Sequence, residues 1–554
     1  MFEKGPYISF SNCGLPYYIG GLVENRDKLF LSDPASLAAR YNINARTSCE
    51  VFSIDRAAKS LVVKDLTQNQ DVEQHYDKLI LCPGATAIVP PILGARAANV
   101  FTLKTVPDAD AILSWLRHLP DAASGKNRVV VVGAGFIGLE AAEQLFRGGA
   151  DVTVVEKTDQ VLPVFDRDMA AFVSNNLVSK GVNVVLDDGV EEVFTEKLGQ
   201  SEVAKEIKLT SGKALPCDLV ILSIGVRPET QLASECGLQL SPTKGIIVDE
   251  YCRTSDPNIY ACGDATDIVN LVTGNRQQFA LAGPANRMGR VAGSNAASTD
   301  HATFRGALGT CIVECLGVAA GMTGITEKAC KRDGIPYNVA VVHQQHHTGV
   351  YPGANMMHIK TLSDSSTGRL LGAQIVGGPH GVDKRIDVFA TALHARMTVD
   401  DVEELDLAYA PQFASAKDPV HMAAFVAANQ HAGLVNEMPL PDVLARIASV
   451  PQSDRPSQFQ LLDVRGKDEW GRDGVPDVPG CSWIHVPVNS LRAYLDSTKC
   501  SLDPRKETYV LCQSGLRSYL AARVLVGRGF TTVWNVRGGF MMVPGEKRRA
   551  EVDG

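Results

Sequence analysis

The sequence predicts an α/β protein of several domains, with parallel sheets at its centre. Three observations carry that expectation. A β-branched run, Arg128-Val129-Val130-Val131-Val132, leads directly into Gly133-Ala134-Gly135-Phe136-Ile137-Gly138 and a helix. Two further strand-to-glycine turns flank this unit, Leu79-Ile80-Leu81-Cys82-Pro83-Gly84 and Ile259-Tyr260-Ala261-Cys262-Gly263-Asp264. Near the C-terminus, Thr508-Tyr509-Val510-Leu511 ends in Cys512 and a short loop before another apolar helix. At 554 residues the chain exceeds what one core sustains, and about three or four domains are expected.

The first chemical feature along the chain is Cys13, in Ser9-Phe10-Ser11-Asn12-Cys13-Gly14-Leu15-Pro16-Tyr17-Tyr18. The next cysteine is Cys49. A Cys-x-x-Cys pair cycles between dithiol and disulfide by itself. A lone cysteine takes its second sulfur from a substrate or passes through a sulfenic acid. A buried structural cysteine is the alternative. Asn12 and Gly14 form turns, and Pro16 confines a helix to the residues after it, so Cys13 falls where a helix N-terminus favours negative charge.

The central unit reads as a dinucleotide site. Gly133 allows the tight turn, Gly135 lets backbone approach a pyrophosphate, and Gly138 allows close helix–strand packing. The helix starting near Leu139 directs its N-terminus at the phosphates. A second strand, Asp151-Val152-Thr153-Val154-Val155, ends in Glu156. That acid stands where a ribose 2′-hydroxyl is bound and a 2′-phosphate repelled, which favours NADH over NADPH.

Composition excludes other classes. The net charge of −8 gives no support to nucleic-acid or membrane-surface binding. Lys547-Arg548-Arg549 reads as a solvated tail. No apolar run is long enough to span a bilayer, and no secretory signal opens the sequence. The 13 cysteines follow no framework spacing and read as reduced thiols of a cytoplasmic protein. Cys311-x3-Cys315 lacks the second pair that a zinc site needs. His343, His346 and His347 lie close in sequence without an acid or cysteine, and are expected at a surface or interface rather than on a metal.

Taken together, these motifs resemble the pyridine nucleotide–disulfide oxidoreductases. More narrowly, the chain resembles their coenzyme A-disulfide reductase branch with a C-terminal rhodanese domain. The specific segments are Ser11-Asn12-Cys13-Gly14-Leu15-Pro16-Tyr17-Tyr18, Gly133 to Gly138, Gly263-Asp264, Tyr409-Ala410-Pro411 and the Cys512 loop. The resemblance implies a Rossmann-like FAD-binding domain over 1–106 and 231–305 and a Rossmann-like NAD-binding domain over 107–230. It implies an α+β dimerisation domain over 306–432 and an α/β rhodanese domain over 456–554; between them the prolines, Pro439, Pro441 and Pro451 among them, read as a linker at 433–455 with room for a short helix. FAD, NADH and coenzyme A are the implied cofactors, and a homodimer the implied assembly.

The same resemblance assigns residues. Cys13 is the redox cysteine, with Asn12 beside it in the substrate site. Glu3, Pro83, Gly84, Gly263 and Asp264 fall to the flavin. Asn286, Arg287 and Arg290 lie where basic and polar groups meet CoA phosphates, although a solvated helix face accounts for them nearly as well. Tyr351 and Tyr409 match two active-site tyrosines whose phenols donate to a leaving sulfur; packed interface tyrosines are the alternative. A flavin domain of this kind opens with its own strand, glycine loop and helix. Glu3 matches the acid about 20 residues beyond such glycines, so a truncated start is expected.

The C-terminal region reads consistently. In Cys512-Gln513-Ser514-Gly515-Leu516-Arg517-Ser518 the cysteine ends a buried strand, and the following N–H groups converge as an anion nest. Such a loop stabilises a bound persulfide, and Arg517 adds positive charge. Asp463-Val464-Arg465 and Val536-Arg537-Gly538-Gly539-Phe540 favour a rhodanese over a Cys-x5-Arg phosphatase. The function expected is NADH-driven reduction of a sulfur–sulfur bond in CoA persulfide, polysulfide or CoA disulfide, with Cys512 handling sulfane sulfur. The alternatives are an NADH oxidase or peroxidase using a Cys13 sulfenic acid, and a sulfurtransferase with an inert flavin domain.

Overall fold

The computed structural model describes residues 1–119, 127–298 and 302–543. The tail at 547–549 lies outside them. The chain divides into two compact units, Met1–Leu316 and Gly317–Gly554.

At the centre of the first unit is a five-stranded, all-parallel sheet. Its order is Asn183–Val185, Asp151–Val155, Arg128–Val132, Leu219–Leu222, Val100–Phe101. Val129 to Val132 are buried on both faces, as a parallel sheet requires. The helix Phe136–Arg147 covers it with Leu139, Ala141, Ala142 and Leu145. The strand Val100–Phe101 joins this sheet ahead of the boundary expected at 107. Thr105 and Asp108 form a reciprocal capping box that then starts the helix Val106–Arg117. A smaller parallel pair, Leu79–Leu81 with Ile259–Ala261, brings the two flanking glycine turns side by side.

The second unit has two sheets. Four antiparallel strands run in the order Val318–Gly324, Leu370–Gly377, Met356–Asp364, Tyr337–Gln345. The helices Val382–His394 and Pro419–His431 pack on them, pinned where the buried Arg385 forks onto Asp418 at 2.8 and 3.0 Å. The other sheet is five-stranded and parallel, ordered Asn436–Met438, Val533–Val536, Glu507–Leu511, Phe459–Asp463, Trp483–His485.

Two expectations are corrected here. The stretch 433–455 holds the helix its linker reading allowed, but it packs as part of the second parallel sheet's domain rather than linking to it. It contributes the edge strand Asn436–Met438 and the helix Leu440–Ala448, whose Leu440, Val443 and Ile447 enter the core with Phe459 and Tyr509. Pro441 stands in the first turn of the helix, where its missing N–H costs nothing. Of the surface or interface placement expected for His343, His346 and His347, the surface is excluded: they are 7, 7 and 4% exposed. Neighbouring strands and turns cover them, and their rings bond carbonyls or other rings. Among the described residues, no three His, Cys, Asp or Glu side chains gather as metal ligands, and no helix is long and apolar enough to cross a membrane.

Candidate functional site

Cys13 lies in the 3-10 turn Asn12–Gly14 and is exposed. Ser11 N–H, donating to the Leu29 carbonyl at 2.8 Å, holds the turn from below. The short helix Leu15–Ile19 comes next and packs against both Phe136–Arg147 and Val106–Arg117. Two phenols fix that docking. Tyr17 donates to Glu140 at 3.1 Å, and Tyr18 donates to Asp110 at 3.2 Å. Burial and the Glu140 charge push the Tyr17 hydroxyl up, so it remains a donor. Asp110 also takes a bidentate fork from Arg26, with Nη2–Oδ2 at 2.7 Å. The cysteine turn is thus tied to the helix that the glycine loop starts. All 13 cysteines are free thiols, Cys13 among them.

The three loop glycines divide their work as their spacing implies. A Cβ on Gly133 would strike the Ser223 carbonyl oxygen, and one on Gly138 would strike the Gly133 carbonyl oxygen. Nothing lies within 4 Å of the Cβ position on Gly135. Gly133 and Gly138 are therefore required by packing, whereas Gly135 leaves backbone bare for a phosphate. Glu156 is 8% exposed. Its Oε2 accepts from Ala134 N–H at 2.9 Å and its Oε1 from Thr158 N–H at 2.9 Å. The acid end of one strand is thereby bonded to the glycine turn of the next.

The flavin-assigned residues fall into two groups. Pro83-Gly84 and Gly263-Asp264 end the adjacent parallel strands Leu79–Leu81 and Ile259–Ala261, with φ of +71° at Gly84 and +78° at Gly263. Ligands of open α/β sheets bind at such carboxyl ends. Burial pushes the Asp264 carboxyl up, against the pull of Lys104. These residues fit a polar, pyrophosphate-bearing cofactor. Glu3 is held within its own turn, where its Oε1 accepts from Gly5 N–H at 2.7 Å. Asn286, Arg287 and Arg290 lie on exposed positions of the helix Ala282–Ala297. Asn286 bonds the Ala282 carbonyl at 2.8 Å, and Arg287 covers the Phe304 ring at 5.3 Å.

In the second unit, Tyr351 and Tyr409 are 46 and 53% exposed. Thr348 Oγ1 donates to the Ala414 carbonyl at 3.0 Å, which ties the turn before Tyr351 to the turn after Tyr409. Cys512 is fully buried at the end of Glu507–Leu511. Gly515 N–H donates to its Sγ at 3.1 Å, and Ser518 Oγ stands 3.2 Å away. Gly515 has φ of +94° and begins the helix Leu516–Gly527. Behind the loop, Phe540 N–H donates to the Cys512 carbonyl at 2.8 Å and Met541 N–H to the Gln513 carbonyl at 3.0 Å. Arg517 does not turn onto the sulfur; its guanidinium forks onto Glu469. Ser518 and Glu469 were not singled out from sequence. Ser518, six residues past the cysteine, faces it because the loop turns the chain into a helix whose first turn carries it.

A parallel sheet with a bare glycine turn, a second pair of strand-end turns and an exposed single cysteine define a reductase of the two-dinucleotide class. A cysteine cradled at a strand end in a second parallel sheet adds a sulfurtransferase-type module. The chain belongs to the pyridine nucleotide-disulphide oxidoreductases, whose family model matches residues 1–289. The dimerisation domain of that family matches 313–420, and a rhodanese-like domain matches 448–543.

Three known proteins illustrate the likeness. The crystal structure of reduced CoADR-RHD from Bacillus anthracis is 38% identical, with a TM-score of 0.90 over 98% of this chain and 92% of that one. The NAD(P)H coenzyme A polysulfide/persulfide reductase of Pyrococcus horikoshii is 33% identical over 428 residues, 77% of this chain and 92% of its own. The NADH oxidase of Methanocaldococcus jannaschii is 33% identical over 425 residues, 76% and 91% of the two chains.

Proposed function

We propose that this chain reduces sulfur–sulfur bonds of coenzyme A persulfide, polysulfide or coenzyme A disulfide with electrons from NADH, as a cytoplasmic homodimer. The observation that carries the reading is the exposed thiol of Cys13, on a turn bonded through Tyr17 and Glu140 to the nucleotide helix. FAD, when bound, supplies the relay between two-electron hydride chemistry and sulfur. Pro83, Gly84, Gly263 and Asp264 are the residues that would hold it, and Gly133, Gly135, Gly138 and Glu156 hold the nicotinamide dinucleotide. Cys13 Sγ attacks the CoA-bound sulfur of a persulfide. The S–S bond breaks, hydrosulfide leaves, and Cys13 is left in a mixed disulfide with CoA. Two electrons and two protons then return both thiols. Tyr351 and Tyr409 are the proposed proton donors to leaving sulfur, and Asn12, Asn286, Arg287 and Arg290 the proposed contacts to CoA.

Cys512 supplies the second sulfur step. Its Sγ, as thiolate, attacks the sulfane sulfur of thiosulfate; that S–S bond breaks, sulfite leaves, and a Cys512 persulfide remains, whose charge the Gly515 N–H and the Ser518 hydroxyl stabilise. The test is Cys13→Ser, assayed for NADH-dependent sulfide release from CoA persulfide. Release is expected to fall at least a thousandfold, with NADH-to-flavin transfer and thiosulfate:cyanide transfer retained. Sulfide release at the parent rate would sink the proposal. NADH-dependent oxygen consumption that exceeds sulfide release would favour the oxidase reading instead.

A further inference from the structure

Two cysteines outside this mechanism stand face to face at the flavin-assigned turns. The parallel strands Leu79–Leu81 and Ile259–Ala261 pair Leu79 with Ile259, Ile80 with Tyr260 and Leu81 with Ala261. The next residues on each strand are Cys82 and Cys262. Cys262 N–H donates to the Leu81 carbonyl at 3.1 Å, so the register continues to this pair. The two sulfurs are 3.2 Å apart.

This geometry suits a disulfide. Neighbouring strands lie about 4.8 Å apart, and disulfides bridge Cα atoms roughly 4.4–6.8 Å apart. Closing the sulfurs to bonding distance takes a shift of about 1 Å, within the reach of side-chain rotation. The pair is also asymmetric. Cys82 is exposed, whereas Cys262 is 5% exposed and packs in the core with Leu81, Ala265 and Met288. The sulfur–sulfur hydrogen bond draws the Cys82 thiol down and, together with burial, pushes the Cys262 thiol up. An accessible attacking thiol beside a buried resolving thiol is the arrangement of a dithiol couple.

We propose that Cys82 and Cys262 form a second dithiol–disulfide couple, distinct from Cys13, that small disulfides and polysulfides oxidise. Cys82 Sγ, as thiolate, attacks one sulfur of RSSR. That S–S bond breaks, RS⁻ leaves and takes up a proton, and a Cys82–SR mixed disulfide remains. Cys262 gives up its proton and attacks Cys82 Sγ. The second RS⁻ leaves and takes that proton. The sum is two cysteine thiols plus RSSR giving one protein disulfide and two RSH, with two electrons passed to RSSR. The bond joins the residues that immediately precede Pro83-Gly84 and Gly263-Asp264. It therefore ties together the two turns on which flavin retention depends in the proposed reading.

The experiment uses the full-length holoenzyme of the wild type and of Cys13→Ser, treated with cystamine, alkylated and digested without reduction. Mass mapping is expected to recover more than half of Cys82 and Cys262 as one linked peptide pair in both proteins. Dithiothreitol is expected to return them to free thiols. In Cys262→Ser, Cys82 is expected to stop at the cysteamine mixed disulfide; in Cys82→Ser, Cys262 is expected to stay reduced. Recovery of Cys82 in the wild type only as a mixed disulfide, or of both cysteines as free thiols, would overturn the proposal. Because the linked pair is read in Cys13→Ser as well, the outcome is independent of the role assigned to Cys13.

Discussion

The guanidinium of Arg517 forks onto both carboxylate oxygens of Glu469, at 2.6 and 2.7 Å. The same carboxylate accepts from Gly466 N–H at 2.8 Å and so closes the start of the helix Lys467–Asp473. Arg517 is the second residue of the helix beyond Cys512, and Glu469 follows the strand Phe459–Asp463, the parallel neighbour of Glu507–Leu511, so this pair ties one wall of the sulfur loop to the next strand's carboxyl end. The Arg517 hydrogen bond holds the Glu469 carboxyl at about 2, below its usual 4.5.

Glu469→Gln is therefore expected to destabilise the second unit by on the order of 1–2 kcal/mol at pH 7, the larger Coulomb value being reduced by solvent at this partly exposed site. A depressed carboxyl contributes its full stability above the unfolded value of 4.5 and loses it as pH falls through about 2. The difference in denaturation midpoint between wild type and Glu469→Gln should shrink from pH 5 to pH 2.5. A difference that stays constant would show that the carboxylate charge is not what stabilises.

Glu156 carries the second prediction. It is fixed on both oxygens by backbone N–H groups of Ala134 and Thr158, so its charge stays next to the glycine turn. A 2′-phosphate brought to that turn meets this charge, whereas a 2′-hydroxyl donates to it. Glu156→Gln keeps the shape and removes the charge. It is expected to lower the NADH-over-NADPH ratio of kcat/KM roughly tenfold, about 1.4 kcal/mol of discrimination. Measured ratios that do not move would place cofactor selection elsewhere.

What the sequence made legible was local. The glycine loop, the strand-end turns and the Cys512 loop are each a few consecutive residues whose backbone does one job, and the structure gives each that form. Boundaries set by distant pairing were not legible. Asn436–Met438 looks like linker until its partner strand Val533–Val536, nearly a hundred residues later, gives it a place in a sheet. The histidines read as surface or interface residues for the same reason: His343 is covered by Gly538, 195 residues away. Cys82 and Cys262 read as isolated thiols because only strand pairing, across 180 residues, sets them in register. Arg517 read as a ligand-facing charge because its partner Glu469 lies 48 residues back.

Ser518 tests the sulfur loop directly. Its hydroxyl is buried, 3.2 Å from Cys512 Sγ and 3.0 Å from the Gly515 carbonyl. It lies in the first turn of the helix whose N-cap, Gly515, supplies the N–H donor to the same sulfur. Loss of one preorganised donor to a charged sulfur costs about 1–2 kcal/mol in the transition state. Ser518→Ala is expected to lower kcat for thiosulfate:cyanide transfer roughly tenfold, against complete loss in Cys512→Ser. Thiocyanate formation measures both. An unchanged kcat in Ser518→Ala would leave stabilisation of the sulfur to the backbone N–H alone.

His343 gives the last prediction its sign. Its Nε2 stands 2.9 Å from the Gly538 carbonyl and its Nδ1 2.7 Å from Nδ1 of His358. A carbonyl only accepts, so Nε2 carries the hydrogen and the neutral ring accepts at Nδ1 from His358. Protonating His343 sets two N–H groups against each other in a dry site. Burial accordingly lowers its pKa to about 4, from 6.5. Between those values the unfolded chain binds the proton and the folded one does not, so stability rises with pH across that window. The contribution is complete above pH 6.5 and is lost as pH falls to about 4, at a cost on the order of 3 kcal/mol. Gly538 adjoins Gly539, which packs on the Cys512 carbonyl, so the loss falls on the anchor of the sulfur loop. His343→Gln retains one donor and one acceptor but does not titrate. Wild type is expected to lose more stability than His343→Gln between pH 7 and pH 4.5 in urea unfolding. Parallel pH profiles for the two proteins would refute the assignment.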